Sequence, residues 1–101
     1  SYQYISSQWQ TAEVGSLVLI CCVITDIKKK KDKNGNQFAY LDLYTSDGMV
    51  EATIWSSQLK KYADIVKKTS CVIIKARKND GYFVDEMKLY SQWLSERKLK
   101  K

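Results

Sequence analysis

The residues whose types and spacing are best suited to binding chemistry lie between Lys28 and Gly48. This stretch opens with five lysines interrupted by one aspartate, passes an Asn-Gly turn and continues as Phe-Ala-Tyr-Leu-Asp-Leu-Tyr. Alternate side chains of an extended strand point to opposite sides, so Phe38, Tyr40 and Tyr44 are expected to share one face. Rings that stack on bases, beside lysines that neutralise phosphates, are the two ingredients of single-strand nucleic-acid binding. The stretch therefore predicts a nucleic-acid interface.

The lysine-rich segment is predicted to be a mobile hairpin loop that contacts phosphates without regard to base identity. We assign phosphate contact to Lys28, Lys30, Lys31 and Lys33. The alternative for these lysines is a solvated hairpin tip without a ligand. The alternative for the rings is packing against the N-terminal arm, a partner subunit or a longer parent chain.

A second candidate region surrounds the later Asn-Asp-Gly turn. Lys75 and Arg77 precede this turn and Tyr82 follows it. Arg77 is favoured because a planar guanidinium group can both stack on a base and pair with a phosphate. Two other aromatic residues are interpreted structurally: Trp55 as a core or helix-anchoring residue, and Phe83 as a core residue.

Enzyme chemistry finds no support in the sequence. The chain has no histidine, no glycine-rich phosphate loop and no nucleophile with a partner at a recognisable spacing. Its three cysteines form no Cys-x-x-Cys pair, so neither a metal site nor a cofactor is predicted. We expect Cys21, Cys22 and Cys71 to be reduced thiols of a cytoplasmic protein, with Cys21 and Cys71 behaving as small hydrophobic residues. The carboxylates of Asp42 and Glu51 are expected to pair with lysines.

The composition is that of one basic globular domain. The chain has 101 residues, of which 45% are hydrophobic, and 17 Lys and Arg against 11 Asp and Glu give a formal charge of +6. A positive balance favours polyanionic partners. No apolar run approaches the length that spans a bilayer, so no membrane partner is predicted.

The periodicity predicts five strands and one principal helix. Strands are expected at 17–27, 38–44, 49–54, 71–78 and 82–87, with turns at the Asn-Gly, Asp-Gly and Asn-Asp-Gly sequences. The first run is rich in β-forming residues and too continuous for a strand with one apolar face, which suits a long coiled strand serving two sides of a closed sheet. A helix is expected at 56–68, capped by Ser56 or Ser57. The predicted core comprises Val23, Leu41, Leu43, Val50, Ile54, Leu59 and Ile74.

This order of elements is the layout of an OB-fold, an all-β five-stranded barrel in which a helix bridges strands three and four. The predicted organisation is an N-terminal arm at 1–14, the OB-fold domain at 15–90 and a basic C-terminal helix or tail at 91–101.

The sequence also resembles a known family. The turn at 33–36, the Phe-Ala-Tyr run at 38–40, the Asp-Gly turn at 47–48, Glu51 and Trp55 resemble the OB-fold nucleic-acid-binding domain of bacterial DNA polymerase III alpha subunits. The anticodon-binding domains of some aminoacyl-tRNA synthetases are similar as well. The resemblance covers roughly 15–89 and rests on strands and turns. Departures are Cys22 and Ala76, where the family has glycine, and the Tyr-Thr pair at 44–45, where it has two acidic residues.

The resemblance implies a single-stranded DNA-binding domain or small accessory subunit of a replication enzyme, with a polymerase or helicase as partner in cis or in trans. A hypothesis of another class is a protein-interaction module whose exposed aromatic residues dock such a partner. A third is binding of RNA or tRNA. The sequence leaves the choice between DNA and RNA open, and likewise the oligomeric state.

Overall fold

The computed structural model describes residues 10–99. Its elements in chain order are β1 (Leu17–Lys31), β2 (Gln37–Thr45), β3 (Gly48–Ile54), α1 (Ser56–Lys61), β4 (Cys71–Lys78), β5 (Tyr82–Leu89) and α2 (Tyr90–Leu99). Residues 1–9 of the predicted arm and 100–101 of the predicted tail lie outside the described part. Neither helix within 10–99 is long and apolar enough to cross a membrane.

The five strands close into a barrel in the order β1-β2-β3-β5-β4, with β4 pairing back onto β1. The first half of β1 pairs with β4 and the second half with β2, as the long apolar run predicted. The change of partner occurs at a bulge at Thr25, whose hydroxyl donates a 3.1 Å hydrogen bond to the Asp42 carbonyl. The predicted fold class is confirmed, with α1 between β3 and β4 and α2 after the last strand.

Alternation along β2 places aliphatic side chains inside the barrel. Ala39, Leu41 and Leu43 are buried, and the same holds for four further inward residues, Ile54, Leu59, Ile74 and Val84. The predicted core is therefore confirmed except at two positions. Val50 packs against the core but stays half-buried, and the second exception lies in β1.

The inward face of β1 is the opposite of the one we expected. Its buried residues are Val18, Ile20, Cys22 and Ile24, so Val23 is half-buried and its neighbour in β2 is the exposed Tyr44. The prediction for Val23 was wrong because an uninterrupted apolar run contains no polar residue that would fix the phase of the alternation. Of the predictions for the cysteines, the one that fails is the assignment of Cys21 and Cys71 as small hydrophobic residues, because the phase of β1 turns Cys22 inward instead of Cys21. Of the three, Cys22 is buried, Cys21 is half-buried and Cys71 is exposed.

The lysine segment is strand rather than mobile loop. Pairing with β2 continues to Lys31, and only the five residues 32–36 form the turn. At the tip, the Asp32 carboxylate accepts hydrogen bonds from the amides of Asn34 and Asn36, both at 2.9 Å, and Gly35 has φ +82°. Cross-strand hydrogen bonds thus override the weak strand preference of lysine.

Helix α1 is shorter than predicted and closes one end of the barrel. It ends at Lys61, and the chain continues through turns in which Val66 is buried. The predicted cap by Ser56 or Ser57 was wrong, because Trp55 occupies the N-cap position and its indole ring offers no acceptor for the first helical amides. The Ser57 hydroxyl, inside the helix, donates a hydrogen bond to the Gln58 side chain. Leu59 is the buried residue of the helix, so α1 is held by packing rather than by its cap.

Helix α2 continues directly from β5 and lies beside the outer surface of the β4–β5 hairpin. Trp93 and Ile73 line the same groove there, and the Arg97 guanidinium lies 4.7 Å from the centre of the Trp93 ring. An ion pair between Lys88 and Glu96 ties the helix to β5. The basic C-terminal segment is thus a docked helix over its described part.

Candidate nucleic-acid interface

Four aromatic rings lie side by side on the outer surface of β2, the end of β3 and β5. From Tyr40 to Phe38 the ring centres are 5.5 Å apart, from Phe38 to Trp55 5.2 Å, and from Trp55 to Phe83 5.9 Å. The last pair is nearly parallel, with an interplanar angle of 11°. We call these four residues the aromatic row. Such spacings are those of interacting aromatic pairs, so the row is one continuous apolar surface.

Strand alternation explains why Phe38 and Tyr40 point outward, since Ala39 and Leu41 are buried between and beside them. On β5 the buried residues are Val84 and Met87, and Phe83 faces outward in register with Arg77 of β4.

Neither Trp55 nor Phe83 lies in the core, although Trp55 does anchor a helix as its alternative interpretation held, since its carbonyl accepts a 2.8 Å hydrogen bond from the Leu59 amide of α1. Trp55 is 48% exposed, and Phe83 is half-buried and stacks on it. The Trp55 ring lies between those of Phe38 and Phe83 on the outer surface, while the core beneath α1 is occupied by Leu59 and Val66. In β5 the bulge that lies opposite Lys75 and Ala76 separates the inward positions by three residues, which a simple alternation does not predict.

The β1–β2 hairpin sorts its lysines onto two faces. Lys30 lies directly opposite Phe38, and Lys28 directly opposite Tyr40. Directly opposite residues share a face, so these two lysines border the aromatic row. Lys31 lies opposite Gln37 and belongs to the other face, while Lys33 is exposed in the turn.

The charge of Lys28 is compensated on the protein. Its Nζ lies 3.4 Å from Asp42 Oδ2 and 3.7 Å from Glu51 Oε2, and the two carboxylates face each other in register, which confirms their predicted pairing with lysine. The pKa of Lys28 is raised, chiefly by the negative charge of Asp42. Lys30 makes no ion pair with a described carboxylate, which leaves it better suited to a phosphate than Lys28.

Tyr44 does not join the aromatic row. The Asp42–Glu51 pair lies between it and Tyr40 along the strand. The ring is 57% exposed and neighbours Val23 on one side and Met49, 58% exposed, on the other. Tyr44, Met49 and Val23 form a separate apolar patch, which we call the end patch.

Arg77 marks the opposite end of the row. It is exposed and lies over an open groove of about 450 Å³ that Trp55 and Phe83 also line. The Asp85 carboxylate borders the same groove. A guanidinium beside two exposed ring faces can contact a phosphate and a base together.

Besides Lys31 and Tyr44, two further sequence-predicted site residues lie away from the aromatic row. Lys75 is 3.9 Å from Glu86 and lines the groove beneath α2 rather than the aromatic surface. Tyr82 packs against the core, with the Lys78 ammonium 5.7 Å from its ring centre. The structure thus gathers Lys28, Lys30, Phe38, Tyr40 and Arg77 around one surface, and it adds Trp55 and Phe83.

This surface offers ring faces that can stack and cationic side chains that can pair with an anion. Among residues 10–99 no group of three His, Cys, Asp or Glu side chains is arranged to hold a metal ion. Burial raises the pKa of the Cys22 thiol to about 12. Because the thiolate is the reactive form of cysteine, this disfavours reaction at Cys22.

Comparison with solved structures identifies the architecture. The chain is similar to the mitochondrial single-stranded DNA-binding protein Rim1 of S. cerevisiae, with 16% identity and a TM-score of 0.61 over 76% of this chain and 96% of that one. It is also similar to a chain of the S. pombe Stn1–Ten1 complex, with 18% identity and a TM-score of 0.55 over 100% of this chain and 95% of that one. No protein-family model and no curated protein sequence matches.

The chain adopts the OB-fold. OB-folds bind oligonucleotides on the face of strands two and three, between the loop that joins strands one and two and the loop that joins strands four and five. The aromatic row occupies that face, with the lysine hairpin at one end and the β4–β5 hairpin at the other.

Proposed function

We propose that this OB-fold binds single-stranded DNA across the aromatic row. The observation that carries the proposal is the continuous row of four rings between Lys30 and Arg77. Rings alone would suit a protein partner, and lysines alone would suit any polyanion. Rings flanked by cations on one surface match a single strand, which offers base faces and phosphates together.

Binding would proceed by stacking of bases on the row and by contact of phosphates with Lys30, Lys33 and Arg77. Trp55 and Phe83 already face each other, so bases lie over their outer edges and free faces rather than between them. Stacking accepts every base, since each base has a π-face, and binding is therefore tolerant of sequence.

The same surface disfavours a duplex. Paired bases are stacked on one another, so their faces are closed to Phe38 and Trp55. RNA single strands offer the same faces and charges, and they are included in the test below.

The cellular role we propose is that of a non-enzymatic DNA-binding domain or accessory subunit in replication, acting with a polymerase or helicase in cis or in trans. Two considerations support it: the resemblance of 15–89 to the polymerase III alpha domain, and the single-stranded DNA-binding name of one structural neighbour.

A second candidate function is docking of such a protein partner. It is favoured by the end patch, where Tyr44 and Met49 are each more than half exposed and where the register partners of Tyr44 are Val23 and Met49 rather than lysines. Exposed apolar patches of this kind mark protein interaction sites. Both functions fit one domain, because the acidic pair separates the two surfaces.

Fluorescence anisotropy with labelled oligo-dT, oligo-rU and a duplex tests the proposal. We expect Trp55→Ala to weaken oligo-dT binding by about 1–3 kcal/mol, the usual contribution of one stacked base. Tyr44→Ala, an equally exposed ring on the other surface, is the matched control and should leave the affinity unchanged. Absence of salt-dependent binding to any single strand would exclude the function for this domain. Loss of affinity with Tyr44→Ala but not with Trp55→Ala would relocate the site.

A further inference from the structure

The face of the β1–β2 hairpin that points away from the aromatic row borders a separate groove. Lys29 and Gln37 form its hairpin side, and Leu59, Lys60, Ala63 and Val66 form the side of α1 and the turns that follow. The groove measures about 190 Å³. Because Lys29 alternates with Lys28 and Lys30 along β1, this groove opens on the side of the hairpin away from the aromatic row.

The rim of this groove is positively charged without compensation. Lys29 and Lys60 line it, and Lys31 lies next along the same hairpin face. None of these three makes an ion pair with a described carboxylate. Asp26 lies opposite Asp42 on the other face of the hairpin and is paired with Lys68 at 3.4 Å. Asp64 is exposed beside Ala63 in the chain. On the other face, by contrast, Lys28 has two carboxylates.

The floor of the groove is aliphatic. Leu59 and Val66 are buried beneath it and Ala63 is exposed at its side, and none of the residues within 10–99 that line it is aromatic. An apolar cavity of about 150 Å³ accommodates benzene, so this groove accommodates one leucine or phenylalanine side chain. Without a ring it offers no stacking surface for a base, which argues against a nucleic acid here.

We propose that this groove docks an acidic peptide segment of a partner protein. One apolar side chain of the peptide packs over Leu59 and Val66, and flanking carboxylates pair with Lys29 and Lys60. The inference is independent of the proposed DNA site, because the two surfaces lie on opposite faces of the hairpin and a strand and a peptide can bind together.

The test uses a fluorescein-labelled synthetic peptide of aspartates and glutamates with one central leucine, and the same peptide with serine in place of leucine. We expect saturable binding of the first and at least about tenfold weaker binding of the second. The double variant Lys29→Glu/Lys60→Glu should weaken peptide binding by about tenfold while oligo-dT affinity stays near wild type. Ala63→Phe should also block the peptide, without any change of charge.

The matched control is Lys30→Glu, which reverses one charge on the other face of the same hairpin. It should lower oligo-dT affinity and leave the peptide affinity nearly unchanged, and circular dichroism of each variant verifies the fold. The proposal is overturned if the leucine peptide shows no saturable binding, or if leucine and serine peptides bind equally. It is also overturned if Lys29→Glu/Lys60→Glu weakens oligo-dT rather than the peptide, which would make this face a nucleic-acid contact.

Discussion

Individual side chains of β2 serve the core and the site at once. Leu41 and Ala39 are buried because the strand is pleated, and the same pleat turns Phe38 and Tyr40 outward beside each other. A change that shifted the pairing by one residue would bury both rings and expose the aliphatic residues. The site is therefore only as well defined as the register of this strand.

Leu41→Ala should lower the free energy of unfolding by about 2–5 kcal/mol, because a fully buried side chain is lost and a cavity remains. Urea denaturation followed by circular dichroism measures the change. Tyr44→Ala in the same strand is the control and should cost far less, since its ring is exposed. A loss below about 0.5 kcal/mol for Leu41→Ala would contradict the assignment of this face to the core.

Among the elements, the two strands of the β1–β2 hairpin differ in how well the sequence predicts them. Its second strand could be read from the sequence because polar and apolar residues alternate in it. Its first strand could not, since Leu17 to Ile24 offers only apolar residues and two cysteines to set a phase. The lysines were expected in a loop, yet hydrogen bonds from β2 hold them in register as far as Lys31.

Helix α1 and the aromatic row show a second limit of sequence reasoning. The spacing of Leu59, Tyr62 and Val66 suits a helix, but the chain leaves the helix at Lys61 and buries Val66 from a turn. Trp55 and Phe83 were missed because size and apolarity favour the core. Their outward position depends on contacts between β3 and β5, which are distant in the sequence.

The two faces of the hairpin predict different effects for neighbouring lysines. Lys30→Ala should weaken oligo-dT binding and reduce the slope of log affinity against log salt by about 0.7, the contribution of one phosphate contact. Lys31→Ala should leave both quantities nearly unchanged, since this lysine faces away from the row. Anisotropy titrations at several salt concentrations measure the two slopes. Equal effects of both changes would mean that a bound strand wraps the hairpin tip.

At the scale of the whole molecule, the formal charge is +6, and the cationic side chains differ in whether a carboxylate pairs with them. Ion pairs with carboxylates engage Lys28, Lys68, Lys75 and Lys88. Lys30, Lys33 and Arg77 have no such partner among the described residues and lie at the two ends of the row. The net charge draws in a polyanion from any direction, and these residues fix where it binds.

We expect oligo-dT affinity to fall with salt at a slope of about −3, which corresponds to about four phosphate contacts on a single strand. The contacts are those of Lys30, Lys33 and Arg77, with a residual contribution from the paired Lys28. Titration from low to physiological ionic strength measures the slope. A slope near zero would show that stacking alone drives binding, and a much steeper one would require contacts beyond the aromatic face.

Closure of the barrel has a weak point directly under the proposed site. The parallel seam between β3 and β5 consists of two residue pairs, Ala52 with Tyr82 and Thr53 with Phe83, whereas every other junction has at least seven. Backbone amides along this seam should therefore exchange with solvent through local opening before those of the other junctions. A strand stacked on both Trp55 and Phe83 bridges the seam from outside, so DNA binding and barrel closure are thermodynamically linked. Bound DNA would then slow amide exchange at the seam, and anything that loosens the seam would release the DNA.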